Sequence, residues 1–399
     1  MPIMQSLFRM MKRIGVGLVA MFMCASQCPA DDGLSLADRL REAVNDPMIP
    51  AMSVLLFRDG AVVEQVEAGV RTVGSDAPVT PDDRWHLGSC TKAMTGLLAA
   101  VCVARGEIAW ETTVGESFPE LVETMEASYA EATLRDLLTH RAGVPGGGVH
   151  MGMVWMMMRG LDAEEDRLGA RHRSVRMALG IPPLGAPREQ FEYSNLGYVI
   201  AGAMLERATK KTWESLMQER IFGPLGMASA GFGPPPAGEG EDYPANAVGH
   251  QVMSGRLIAM SKADNPLVSG PGTNVHATIR DWAKFVWEIV AGASGGETVL
   301  GLDQQLYIDL LTPPENADDD AYALGWGVFA DDREWGGGRS IQHAGSNTMW
   351  YCVAEASIGQ RCIVLVASNS GTEQAHDMMI ELLRAARKEL MAGDVSAEQ

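Results

Sequence analysis

Hydrophobic positions alternate with polar ones near both ends of the chain and recur at helical spacing through its middle. Apolar runs over 52–57 and 62–70 flank Arg58-Asp59-Gly60, which predicts a strand, a tight turn and a second strand. Helical spacing of apolar residues predicts helices over 34–45, 89–105, 196–207 and 373–391. Further strands are predicted over 324–330, 340–343, 348–356 and 361–368.

The order of these elements indicates the fold class. A helix and a hairpin come first, helices fill most of 111–235, and strands with a closing helix come last. One antiparallel sheet built from both chain ends, flanked by helices and interrupted by a mainly helical region, satisfies this order. We therefore predict an α/β protein of the α+β type. A single domain is expected over 31–395, with its sheet part at about 31–110 and 275–395 and its helical part at about 111–274.

Composition excludes several classes of function. Of 399 residues, 46% are hydrophobic and 21% are charged, which is enough for a sizeable core. The 32 basic residues face 51 acidic ones, and a net charge of -19 is the wrong sign for a protein that binds nucleic acid. After residue 30 no apolar run reaches the length that a bilayer requires, so an integral membrane protein is not expected.

Residues 1–30 have the arrangement of a secretory signal peptide. Arg9, Lys12 and Arg13 precede an apolar run over 14–25, and Cys28-Pro29-Ala30 supplies small residues before two aspartates. An uncleaved anchor helix is the main alternative, and a lipoprotein is a minor one. We expect an exported protein, periplasmic or extracellular, with no stable membrane insertion once the signal is removed.

The cysteines that follow this segment do not predict a disulfide scaffold or a metal site. Cys90, Cys102, Cys352 and Cys362 are too few for a scaffold, and none has the spacing of a zinc site. Cys352 and Cys362 lie ten residues apart on one predicted hairpin. They could therefore pair, or they could be two buried free thiols.

Ser89 and Lys92 are the first candidate catalytic residues. Three residues apart on a helix, they lie on one face, one turn from each other. A serine hydroxyl needs a base to act as a nucleophile, and a lysine amine can serve if burial keeps it neutral. Gly88 allows a close approach, and the start of the helix presents free N–H groups. The alternative is an ordinary helix start with a solvated lysine.

A second triplet, Tyr193-Ser194-Asn195, directly precedes the predicted helix 196–207. A phenol beside a lysine can relay its proton to a leaving group, and an asparagine can bind a substrate amide. The alternative is a plain helix N-cap formed by Ser194 or Asn195.

The third triplet, His343-Ala344-Gly345, ends a predicted strand and is followed by Ser346. Glycine there lets a ligand approach the backbone closely. The Ser346 N–H could then form an oxyanion hole together with the Ser89 N–H. The alternative for His343 is a packed or surface histidine.

Together, the three triplets S-x-x-K, Y-x-N and H-x-G indicate a protein family far more specifically than any one of them does alone. Their order resembles that of the serine β-lactamase-like hydrolases, which include class C β-lactamases, D-alanyl-D-alanine carboxypeptidases and related esterases and D-amino-acid peptidases. The resemblance covers nearly all of the chain from residue 35 onward. It extends to segments outside the triplets: 133–140, 191–198, 221–227 and 324–328.

The resemblance implies a β-lactamase/transpeptidase-like fold and a serine hydrolase that needs no cofactor. Ser89 resembles the acylated nucleophile and Lys92 its base partner, although which group acts as the base in S-x-x-K enzymes is disputed. Tyr193 resembles the second proton relay, and Asn195 the group that binds the substrate amide. Gly345 matches the glycine of the third motif.

His343 departs from the family pattern, because class C β-lactamases normally have lysine at this place in the motif. Histidine there resembles certain carboxypeptidases and D-aminopeptidases. An unperturbed imidazole is mostly neutral near pH 7. We therefore expect His343 to meet the substrate as a hydrogen-bond donor and not as a fixed cation.

The expected reaction is cleavage of an ester or amide bond through a covalent acyl-serine intermediate. The resemblance suggests D-amino-acid peptides or β-lactams as substrates. A carboxylesterase acting on small esters or lactones is one alternative, and a penicillin-binding or sensor protein without turnover is another. The expected partner is a small-molecule or peptide substrate, and the sequence leaves the oligomeric state open.

Overall fold

The computed structural model describes residues 33–147, 149–163, 165–236, 244–315, 317 and 321–392. The predicted signal peptide therefore lies outside the described residues. The strands are β1 (Ala51–Arg58), β2 (Ala61–Gly69), β3 (Arg84–His86), β4 (Gly231–Phe232), β5 (His250–Met253), β6 (Arg256–Ala259), β7 (Val275–Thr278), β8 (Ala321–Tyr322), β9 (Gly327–Phe329), β10 (Ser340–Ser346), β11 (Tyr351–Ser357) and β12 (Cys362–Ser368). The helices are α1 (Leu36–Ala43), α2 (Thr91–Ala104), α3 (Val114–Ser117), α4 (Leu134–Leu138), α5 (Val149–Leu161), α6 (Arg167–Leu179), α7 (Asn195–Thr209), α8 (Trp213–Met217), α9 (Gly270–Thr273), α10 (Ile279–Ala293), α11 (Gln304–Leu310) and α12 (Glu373–Ala392).

The main sheet is antiparallel and draws its strands from both ends of the chain, as predicted. Its seven strands run in the order β2-β1-β12-β11-β10-β9-β8. β1 pairs with β12, so the N-terminal hairpin joins the C-terminal strands through a register in which Val54 faces Val366. Two smaller sheets, β3-β7-β4 and the hairpin β5-β6, lie outside it. The fold class predicted from the sequence is confirmed, whereas the domain boundaries stay a prediction.

Both faces of the central strands are covered, which explains their nearly continuous apolar sequence. On β12, Ile363 and Leu365 contribute to the large core shared with the helical region. Val364 and Val366 point to the opposite face, where they pack under α1 and α12. Full burial of one such side chain stabilises the fold by about 1.5–3 kcal/mol. The terminal helices therefore cover the outer face of the sheet, while the helical region covers the face that leads to the site.

Local details differ from the sequence prediction at two places. The predicted strand 324–330 is shorter, since only Gly327–Phe329 (β9) forms a strand within it, because Gly325 at φ +99° turns the chain tightly against α2. The predicted helix 89–105 begins with one 3-10 turn, Gly88–Cys90, before α2 starts. Within the described residues, no helix is both long and apolar enough to cross a membrane.

Cys352 and Cys362 are both buried thiols that are not joined by a disulfide, which settles the open alternative in favour of thiols. In the ladder between β11 and β12, Cys352 faces Ala367, whereas Cys362 faces Ser357 at the opposite end. The nearer thiol to Cys352 is Cys90, with 3.9 Å between the sulfur atoms.

The methionine-rich helix α5 has one buried and one exposed face. Val154 and Met158 are buried, whereas Met156 and Met157 are 74% and 53% exposed. Helical periodicity explains the division, since residues 154 and 158 are one turn apart.

Candidate active site

The turn that carries Ser89 is pressed against the end of β10. Gly88 adopts φ +50°, and a Cβ on it would lie 2.6 Å from the backbone nitrogen of Ser346. A Cβ on Gly345 would lie 2.0 Å from the carbonyl oxygen of Leu87 and 3.0 Å from the nitrogen of Ser89. Only glycine fits at either position. The first and third sequence motifs are therefore in direct backbone contact, and the Ser89 and Ser346 amides belong to the two segments that meet there.

Lys92 lies one turn into the helix below Ser89, and its side chain is fully buried. Its Nζ donates to Ser89 Oγ at 3.1 Å, to Asn195 Oδ1 at 2.6 Å and to the carbonyl oxygen of Gly272 at 2.9 Å. Burial lowers the pKa of Lys92 from its usual value to about 7, and the nearby Cys90 thiol opposes the shift. Near neutral pH a substantial share of this amine is therefore unprotonated and able to accept a proton.

The second motif is placed by the start of α7. Ser194 caps this helix, because its hydroxyl accepts from the backbone nitrogen of Gly197 at 3.2 Å. The cap leaves Tyr193 just before the helix and Asn195 at its first position, both facing Lys92. The Lys92 Nζ lies 4.8 Å from the centre of the Tyr193 ring. Burial raises the pKa of Tyr193, and a hydrogen bond with the Ser89 side chain opposes that rise. The phenol is therefore protonated at neutral pH.

His343 occupies a different place from the one expected. Its side chain has no exposed surface. The Nδ1 atom lies 2.7 Å from the carbonyl oxygen of Ala344, so it carries the proton and donates; Nε2 then accepts from the Tyr322 hydroxyl at 2.8 Å. Burial and the nearby Lys92 lower the pKa of His343 to about 3. The imidazole is neutral, as expected, but both nitrogens are engaged within the protein and neither is free to donate to a substrate.

Three aromatic residues outside the three motifs lie around Tyr193: His140, Tyr198 and Tyr322. The rings of Tyr193, Tyr198 and Tyr322 lie 4.3, 5.2 and 4.7 Å from the His140 ring. The Nδ1 of His140 accepts from the backbone nitrogen of Ser194 at 3.0 Å, which holds the second motif against the helical region. His140 and Tyr198 fall in the segments 133–140 and 191–198 that resemble the family, and this was the available sequence signal. Tyr322 lies in none of those segments.

The arrangement brings together the types of group that nucleophilic acyl transfer uses. It contains a hydroxyl, a buried amine with a lowered pKa, a protonated phenol and two backbone amides. Among the described residues, no cluster of histidine, cysteine, aspartate or glutamate could hold a metal ion.

This site lies within a chain region that matches one known protein family. The model of the family described as Beta-lactamase matches residues 36–388, which is most of the chain. The chain belongs to the Beta-lactamase family. Its members are typically serine hydrolases, and the match includes all three motif segments.

The relatives of similar sequence include a hydrolase. The chain is 27% identical over 309 residues to the unguisins hydrolase ungD' of Aspergillus campestris, a match that covers 73% of this chain and 53% of the relative. The chain thus spans about half the length of the curated relatives it matches.

Several solved structures share the fold. The crystal structure of SurE superposes with a TM-score of 0.70 at 22% identity, covering 89% of this chain and 75% of that one. A second SurE structure, with D-Leu, has a TM-score of 0.65 at 20% identity and covers 88% of this chain and 74% of that one. The D-amino acid amidase of Ochrobactrum anthropi SV3, complexed with L-phenylalanine, has a TM-score of 0.68 at 20% identity and covers 89% of this chain and 98% of that one.

Proposed function

We propose that the protein is a serine hydrolase that cleaves an ester or amide bond through an acyl ester on Ser89. One observation carries the proposal. The buried Lys92 amine, with its pKa lowered to about 7, lies 3.1 Å from the Ser89 hydroxyl. Burial of a lysine costs free energy, and activation of a nucleophile is the role that this geometry fits.

The proposed acylation begins as Ser89 Oγ attacks the carbonyl carbon. A bond forms between the two atoms, the carbonyl electron pair moves onto oxygen, and the hydroxyl proton passes to Lys92 Nζ. The oxyanion then accepts hydrogen bonds from the Ser89 and Ser346 amides. Asn195 holds Lys92 at 2.6 Å, which keeps the amine in reach of the hydroxyl.

Tyr193 then acts as the proton donor to the leaving group. Its raised pKa disfavours phenolate, so a role as the first base fits less well than a role as a relay. The bond between carbonyl carbon and leaving group breaks, the leaving group takes the phenol proton, and Lys92 returns its proton to Tyr193. Water repeats the sequence in reverse, releasing the acid and free Ser89.

For the substrate, we propose esters and amides of D-amino acids, which lack a carboxylate, ahead of β-lactams. The third motif supplies no cation, because His343 is buried and its pKa is about 3. A carboxylate beside the scissile bond therefore finds no ionic partner from that motif. The D-amino acid amidase among the similar structures agrees with amide substrates.

A substrate panel with detection of the acyl-enzyme tests the proposal. Nitrocefin, p-nitrophenyl esters, D-phenylalanine amide and L-phenylalanine amide are compared at one pH, and intact mass follows the acyl adduct. We expect turnover of the esters and the D-amide and an adduct that maps to Ser89. An adduct on another serine would refute the assignment, and a stable adduct without turnover would favour a penicillin-binding or sensor protein.

We also propose that the protein is exported, which rests on the pattern of residues 1–30 alone. Expression of the full chain in a bacterial host, followed by N-terminal sequencing of the periplasmic fraction, tests it. A mature N-terminus near residue 31 is expected. Full-length protein confined to the cytoplasm would contradict it.

A further inference from the structure

Asp264, which lies outside all three motifs, joins the two backbone segments that carry the candidate oxyanion amides. Its Oδ1 accepts from Asn347 Nδ2 at 3.1 Å and lies 3.0 Å from His86 Nε2. The Asp264 side chain is 8% exposed, and that of His86 is fully buried. Asn347 directly follows Ser346, and His86 is three residues before Ser89. One carboxylate therefore reaches both sides of the site.

The hydrogen bonds of His86 show which atoms donate and which accept along this connection. The backbone nitrogen of Gly88 donates to His86 Nδ1 at 3.2 Å. An imidazole nitrogen that accepts from an amide carries no proton, so Nε2 carries it and donates to Asp264. A continuous chain of hydrogen bonds thus runs from the Asp264 carboxylate through His86 to the amide that precedes Ser89.

On the other side, Asn347 is held at both ends of its amide. Its Nδ2 donates to Asp264, and its Oδ1 accepts from the backbone nitrogen of Met349 at 3.2 Å. The loop that carries Asp264 is itself restrained, because the backbone nitrogen of Asn265 donates to Oδ1 at 2.7 Å. Asn347 and the loop that carries Asp264 are therefore both held in place by hydrogen bonds.

We infer that Asp264 is a positioning residue for the oxyanion site. It holds the Ser89 amide in place through His86 and the Ser346 amide through Asn347. Asp264 does not touch the reacting atoms, and it acts only through these two side chains. The inference rests on the proposed function, because it assigns the two amides to a developing oxyanion. A donor misplaced by a fraction of an ångström loses much of its effect on a transition state.

Asp264→Asn tests the inference with almost no change in shape. In the new amide an NH2 group replaces one oxygen. At the Oδ1 position it would oppose the donors of Asn347 and Asn265, and at the Oδ2 position it would oppose His86 Nε2 at 3.2 Å, so either orientation sets a donor against a donor. We expect kcat/KM for a p-nitrophenyl ester to fall about 10- to 100-fold, less than the loss of a whole oxyanion donor. Asp76→Asn is the matched control, since it removes the same charge from an exposed loop position and should leave kcat/KM unchanged.

Binding of a boronic acid distinguishes misplacement of the oxyanion amides from a general loss of folded structure. Phenylboronic acid adds to Ser89 Oγ to give a tetrahedral boronate, with the hydroxyl proton passing to Lys92, and one boronate oxygen occupies the oxyanion site. We expect its dissociation constant to rise in Asp264→Asn in parallel with the fall in kcat/KM. The concentration of active sites is titrated with a fluorophosphonate, and kcat/KM and the dissociation constant are calculated from that concentration. A merely structural role would lower the number of titrated sites and the melting temperature and leave the constants per site unchanged.

A double variant tests the route through His86. His86→Ala should lose less than Asp264→Asn, because it leaves the bond between Asp264 and Asn347 in place. The double variant should lose little more than Asp264→Asn alone, because that variant already breaks the link to His86. His86→Gln, which keeps an acceptor and a donor, should recover part of the loss. Additive losses would overturn the route, and unchanged constants per site in Asp264→Asn would overturn the inference. If the fluorophosphonate fails to label Ser89 in the unmodified protein, the proposed function falls and this inference with it.

Discussion

Asn195→Asp should move the pH dependence of the reaction, because it places a carboxylate against the proposed base. In the native protein, Asn195 Oδ1 lies 2.6 Å from Lys92 Nζ and carries no charge. An opposite charge at this distance favours the protonated amine and raises a pKa by about 1 to 3 units. The substitution keeps the size of the side chain and its acceptor oxygen, so the amine stays in place while its protonation changes.

The magnitudes follow from the pKa of about 7 that burial gives Lys92. A base with that pKa is about 1% neutral at pH 5 and about 90% neutral at pH 8, so kcat/KM should rise about 90-fold between them. In Asn195→Asp the midpoint should move to about pH 8–10, and at pH 7 the variant should have at most about a fifth of the neutral amine of the native protein. Activity is therefore lost on the acid side and regained as the pH rises.

The assay is kcat/KM for a neutral p-nitrophenyl ester from pH 5 to pH 10, with Ser89→Ala as the blank for spontaneous hydrolysis. Asn45→Asp is the control, because Asn45 is exposed and the variant adds the same charge away from the site. Its profile should overlay that of the native protein. If the acid limb of Asn195→Asp also overlays the native one, Lys92 is not the group that titrates, and the assignment of the base is wrong.

Three further predictions test the remaining parts of the site. Ser89→Ala should lower kcat by more than about a thousandfold with the fold retained, which circular dichroism and ester turnover check together; activity above about a tenth of native would mean another nucleophile. Tyr193→Phe should lower kcat about 10²- to 10⁴-fold by removing the proton donor. Tyr322→Phe, which removes the hydroxyl that bonds to His343 and Tyr198, should lower the free energy of unfolding by about 1–3 kcal/mol with a smaller effect on kcat. Equal kinetic losses in the two variants would contradict this division. Gly345→Ala should lower the free energy of unfolding by about 1–3 kcal/mol and reduce kcat, because the new Cβ would meet the Leu87 oxygen at 2.0 Å. Gly359→Ala, where a Cβ meets open space, is its control, and equal melting temperatures and rates in the two would disprove the contact.

Local pattern was enough for most of the secondary structure and for one pair of site residues. The apolar runs that became β1, β11 and β12 are readable because strands buried on both faces have few polar positions. Ser89 and Lys92 could be paired from their spacing, because residues three apart on a helix share a face. The order of the three motifs then pointed to the family, which the match over 36–388 established.

Only the tertiary structure decided what surrounds these residues. The hydrogen bond that His343 Nε2 accepts comes from Tyr322, which lies 21 residues earlier on another strand of the same sheet. The lowered pKa of His343 comes from burial, which no triplet encodes, and from Lys92. The place of Asp264 between His86 and Asn347 joins it to positions 178 and 83 residues away. Such contacts are set by how sheet and helices pack against one another, and sequence periodicity reports only which face of an element is buried. The sequence by itself therefore indicated the candidate reacting groups, and the fold determined their charges and the partners that hold them in place.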